Sequence, residues 1–185
     1  MRSTELFFIG ILLVLVTSGC EASPPEQPYK RGKDFDPGNL THLMYHYNVA
    51  TKEQKEIANK DSSMLNQLNK DKKWTGLFKT ALALIGAFPT PDAVVHLGDA
   101  FLNTPVSGKD KQELIKRKKS NIKQASAYYS AALEFSKKVG MPFKNIGISA
   151  TVKKECSNEY VNSGEFTDTN KCQFLIEILK HEKII

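Results

Sequence analysis

The sequence predicts an all-α fold, a single helical bundle or stack of helical hairpins over residues 39–185, behind an N-terminal leader and a flexible tether. Three observations predict it. Apolar residues recur at spacings of three and four almost everywhere after residue 39, whereas the alternation of a half-buried strand is nearly absent. Helix start and stop signals bracket most of these periodic runs. About 145 residues remain once the leader and tether are set aside, enough for one ordinary core, and no second composition shift marks another boundary.

The elements follow in order. Leu40, Leu43, Met44 and Tyr47 share one side of a short helix over 39–48. Thr51 and Gln54 have the spacing of a capping box and open a polar helix reaching 69, with Ile57, Met64, Leu65 and Leu68 as its expected inner face. Asp71 is the expected cap of the next helix, 74–87. That helix is apolar around much of its circumference, with Trp74, Leu77, Phe78, Leu82 and Ile85, which places it at the centre of the domain. Thr90, Pro91 and Asp92 supply a cap, a first-turn proline and a first-turn acid for a helix to 103. Beyond Pro105 and Gly108 a long pattern runs to 139, where Gly140 and Pro142 stop it. Residues 143–149 suit a short extended piece. Val152, Cys156 and Tyr160, then Cys172, Leu175, Ile176 and Leu179, mark two final helices separated by a turn-rich stretch.

The N-terminus carries the sharpest functional signal. The apolar run of residues 6–16 is too short to span a bilayer and fits the hydrophobic region of a signal peptide. It leads into Thr17-Ser18-Gly19-Cys20, which resembles the lipobox of bacterial lipoprotein precursors. The resemblance implies removal of residues 1–19, acylation of Cys20 and attachment to a membrane through the N-terminal lipid. Several acyl chains hold stably where one holds marginally. Glu21 stands where an aspartate signals inner-membrane retention in that family, so the outer membrane facing the periplasm is the expected address. Residues 20–38, with Pro24, Pro25, Pro28 and Pro37 and almost no aliphatic side chains, read as the lipidated cysteine and an extended tether.

With Cys20 assigned to lipid, Cys156 and Cys172 remain as an even pair, each on the apolar face of its helix, and a disulfide between them is expected. Two buried free thiols are the alternative.

Charge is concentrated. Residues 109–123 hold seven cations against Asp110 and Glu113 and carry most of the chain's net charge of +6. Lys116, Arg117, Lys118, Lys119 and Lys123 form a candidate patch for an anionic partner. Four consecutive basic residues wrap a helix, so this turn must project from the domain or snorkel a stem over it. For an exported chain nucleic acid is not an expected partner, which leaves phosphate-bearing lipid or an acidic protein surface; a solvated face is the plain alternative.

Residues 90–139 resemble one tetratricopeptide repeat in part. Val94, Leu97, Gly98 and Phe101 are similar to its first helix, and Ala125, Tyr129, Ala132 and Leu133 to its second. The resemblance implies a hairpin in which Gly98 lets the second helix approach closely. The separation of Gly98 and Ala125 departs from that family, and no second copy follows.

Catalytic signatures are sparse. His42 and His46 share a helical face as metal ligands can, but Leu43 and Met44 stand where a zinc protease helix carries its glutamate, so the pair reads as two exposed histidines on a polar edge. His96 and Asp99 could form an acid-base couple or a local hydrogen bond. No nucleophile elbow or phosphate-binding glycine loop is present, and neither metal nor cofactor is expected. The expected function is a membrane-anchored, non-enzymatic helical module that binds an envelope protein partner, as a scaffold, pilotin or assembly factor of a secretion or conjugation system. A protective immunity or exclusion lipoprotein and an envelope enzyme are the alternatives.

Overall fold

A computed structural model describes residues 35–144 and 148–185; the leader, Cys20 and most of the tether lie outside the described residues. Seven helices form the described chain: α1 (Leu40–Val49), α2 (Lys52–Lys70), α3 (Trp74–Ala87), α4 (Pro91–Asn103), α5 (Lys111–Val139), α6 (Ala150–Ser163) and α7 (Gln173–His181). No strand occurs among the described residues, and the all-α expectation holds. None of these helices is long and apolar enough to cross a membrane.

Local chemistry sets the helix ends. The Thr51 hydroxyl accepts from Gln54 N, and the Gln54 side chain accepts from Thr51 N, completing the capping box. Thr90 caps α4 ahead of Pro91. Asp110 caps α5 by accepting from Glu113 N, and Glu113 accepts from Lys109 N, one residue ahead of the cap. Gly140 and Gly164 close α5 and α6 at φ of 64° and 79°, where a Cβ is costly. The expected Asp71 cap is not formed: Asp71 ends α2 and accepts from Gln67, and Lys73 precedes α3 with no side-chain cap. Lys72, at φ 55°, turns the chain so that Lys73 N reaches back to Leu68 O.

The centre of the molecule is α4, not α3. Eleven of the thirteen α4 residues are buried. On α3 only Leu77, Ala81, Leu84 and Ile85 are buried, while Thr75, Lys79 and Ala83 face solvent. Small residues decide this. Ala93, Gly98 and Ala100 let neighbouring helices crowd α4, so a moderately apolar helix with the right shape displaces a greasier one from the middle.

The α4–α5 approach is closest at Gly98. A Cβ there would lie 2.5 Å from Cε1 of Tyr129, the largest fully buried side chain. Helix α2 is rotated from its expected setting: Ala58 and Leu65 point inward, whereas Ile57 and Met64 are about half exposed. The inward arc instead brings Asn66 and Asn69 toward α4. The packed domain also starts earlier than residue 39, because the Phe35 ring packs tilted against His46 with ring centroids 4.4 Å apart and Pro37 is buried.

Cys156 and Cys172 form a disulfide with a Cα separation of 5.5 Å, tying α6 to the first turn of α7. Closing a loop of 16 residues stabilises the fold by about 3 kcal/mol in the chain-entropy view. Leu175, Ile176 and Leu179 of α7 then pack into the core.

Substituting Gly98→Ala forces Tyr129 to move within a filled core, so the urea midpoint drops by the equivalent of about 1–3 kcal/mol with the helical circular dichroism retained. An unchanged midpoint would show that α4 and α5 do not meet as closely as described.

Candidate functional site

The ends of α2 and α4, the first residue of α3, and the flank of α7 enclose an open groove of about 550 Å³. Its apolar walls are Trp74, Leu102, Pro105, Phe174 and Ile178. Lys72, from the turn after α2, and Glu177 with His181, from α7 and its end, also line it and are exposed. The floor holds Asp99 and Lys153, with Glu182 beside the end of α7.

The floor is a closed polar network. Asp99 Oδ1 accepts from Tyr129 Oη at 2.9 Å and from Lys153 Nζ at 2.7 Å. Asp99 Oδ2 accepts from Lys153 Nζ at 2.9 Å and from Asn69 Nδ2 at 3.2 Å. His96 completes it, with Nε2 3.2 Å from Asn66 Oδ1 and Nδ1 3.3 Å from Asn69 Nδ2. With these partners Nε2 donates to the Asn66 oxygen, and Nδ1 faces both the Asn69 amide and Asp99 Oδ2, 3.6 Å away.

Burial alone would push the Asp99 carboxyl up, but His96 and the Lys153 ammonium outweigh it and hold the group below its ordinary value. Burial beside the Asp99 charge pushes the Tyr129 phenol well up, so its hydroxyl remains a donor. A carboxylate with both oxygens occupied and a depressed pKa is a poor proton carrier near neutral pH. The His96–Asp99 spacing therefore makes part of a structural network. Of the two residues only Asp99 lines the groove.

The basic turn is divided by the fold. Lys118 is fully buried, and its ammonium pairs with Glu182 and reaches Thr104 O at 3.3 Å. It is therefore withdrawn from the candidate anionic patch. Burial lowers the Lys118 pKa, and Glu182 opposes that shift. The second oxygen of Glu182 is buried with no hydrogen-bond partner among the described residues. Arg117 is tied to Glu113 at 2.6 Å, Lys119 lies 5.5 Å over the Tyr160 ring, and Lys116 and Lys123 remain exposed.

The two α1 histidines are not both exposed. His46 is buried, with Nδ1 2.8 Å from Gly86 O, and His42 is half-buried and accepts from Asp36 N. Phe35 packs over this edge and displaces solvent from it. Among the described residues no group of three or more His, Cys, Asp or Glu is placed to hold a metal.

Lys153, Tyr129 and the two asparagines of α2 were not legible as a site, although Lys153 shares a helical face with Cys156, Ser157 and Tyr160, all buried. That face was the available signal for a buried lysine. No protein-family profile, curated protein or solved structure matches this chain.

Replacing Lys153 with Met leaves Asp99 buried and unpaired and costs about 3–5 kcal/mol in chemical denaturation, whereas Asp99→Asn/Lys153→Met together recover at least half. Because the folded pKa of Asp99 lies below its ordinary 3.8, its contribution is present above that value and is lost as pH falls through the folded pKa. The wild type accordingly loses more stability below about pH 4 than the double variant does. A single-variant loss under about 1 kcal/mol, or identical acid profiles, would contradict the network.

Proposed function

We propose that this chain is a membrane-anchored envelope lipoprotein that works as a non-enzymatic protein-binding module, taking a segment of one envelope partner into the groove beside α7. The groove itself is the observation that carries the reading. Its apolar walls offer burial, the opposite charges of Lys72 and Glu177 in its lining offer orientation, and the unpartnered oxygen of Glu182 offers an acceptor to a backbone or side-chain N–H. The ionised pair on its floor is already satisfied, which suits a rigid platform better than a reacting group.

The address rests on the lipobox-like Thr17-Ser18-Gly19-Cys20 and on a buried disulfide of the kind that persists outside the reducing cytosol. A scaffold, pilotin or assembly factor of a secretion or conjugation system fits such a module, since these hold a partner without transforming it.

A photo-crosslinking residue at Ile178, in the lipidated chain within its own envelope, captures one protein species, and Phe174→Lys, at a partly exposed wall of the groove, abolishes that capture. The same probe at Lys79, on the exposed side of α3, does not capture it. Equal capture from both positions, or none from the groove, would contradict the reading, and an unmodified Cys20 by mass spectrometry would remove the proposed anchor.

A further inference from the structure

The exposed side of α5 carries a basic ridge longer than the lysine-rich turn alone. At about 100° per residue, Lys116, Lys123, Lys137 and Lys138 fall within a sector of about 100°, and all four are exposed. They span about 33 Å of helix at 1.5 Å per residue. Glu134 is the exposed acid within that sector, and Ser120 and Ala127, also exposed there, are small. The ridge therefore presents ammonium groups with no bulky apolar side chain between them, a surface suited to phosphates rather than to an apolar pocket.

The chain enters the folded domain against this same helix. A Cβ on Gly38 would lie 3.5 Å from the Tyr128 ring, midway along α5. Fifteen residues separate Cys20 from Phe35, and a chain of that length reaches at most about 50 Å. A domain tethered at Cys20 thus keeps α5 within reach of the bilayer that holds its lipid.

We infer that the α5 ridge is a second membrane contact, binding the anionic phospholipid headgroups of the membrane to which the N-terminus is attached. The inference rests on the lipoprotein reading for its choice of surface, and the charge arrangement carries the rest. Lys118 takes no part because it is buried against Glu182. Arg117 takes little, being paired with Glu113. The contact lays the long axis of α5 along the bilayer and fixes the direction in which the domain presents its other faces.

The test uses the mature chain from residue 20 with Cys20→Ser, so that no acyl chain contributes, and co-sedimentation with vesicles of phosphatidylglycerol in phosphatidylcholine or of phosphatidylcholine alone. At low salt the protein partitions onto the anionic vesicles at least about a hundredfold more strongly, and ~0.5 M salt abolishes the difference. Lys116→Glu/Lys123→Glu lowers that partition by about thirtyfold or more at roughly fivefold per lysine, while Lys79→Glu/Lys180→Glu, an equal charge change off the ridge, leaves it within about threefold. Equal loss in both pairs would reduce the effect to net charge and overturn the ridge. So would binding to an acidic protein but not to anionic vesicles. Absent vesicle binding with groove capture intact sinks this inference alone, whereas an unmodified Cys20 sinks the reading beneath it.

Discussion

One buried carboxylate organises this molecule. Asp99 of α4 receives a phenol from α5, an ammonium from α6 and an amide from α2, so four helices converge on one negative charge. Burying such a charge is expensive, and the attraction of Lys153 offsets that cost only with hydrogen bonds to both oxygens. The arrangement therefore rewards one relative setting of the four helices. It also explains why α2 turns Asn66 and Asn69 inward and leaves Ile57 and Met64 half exposed. An apolar inner face would have left the Asp99 Oδ2 side without its amide donor.

The same constraint shapes the groove. Asp99 and Lys153 cannot be covered by a close helix crossing without losing room for their partners, and α7 lies to one side of them. Two links hold α7 in place, the disulfide at its start and the Lys118–Glu182 pair just beyond its end. The second link also decides the fate of the lysine-rich turn. One of four consecutive cations is used as an internal clamp, and the remaining charge is carried along the solvent side of α5. The groove and the basic ridge thus arise from one packing solution.

Much of the architecture was legible in the sequence because it is governed by local chemistry. The capping box at Thr51, the Thr90-Pro91 start and the glycine stop at 140 specify helix ends from a few neighbouring residues. The Cys156–Cys172 pairing followed from parity and from both thiols lying on apolar faces. What failed was long-range. Hydrophobicity alone put α3 at the centre, whereas small residues put α4 there. The burial of His46 depends on Phe35, from a segment read as tether. Lys118 lies on the same helical face as Ile122, Ala125 and Tyr129, so its burial could have been read from that spacing, but its partner Glu182 is 64 residues away and periodicity cannot find it. The Asp99–Lys153 pair, 54 residues apart, escaped for the same reason.

Amide hydrogen exchange on the native protein tests the central role of Asp99 most directly, because it resolves stability helix by helix. If the four helices are joined through this carboxylate, amides of α4 exchange only through global unfolding, and Asp99→Asn lowers protection in α4, α5 and α6 together. Protection lost in α4 alone, or α4 amides exchanging as readily as the solvent side of α2 in the wild type, would contradict it.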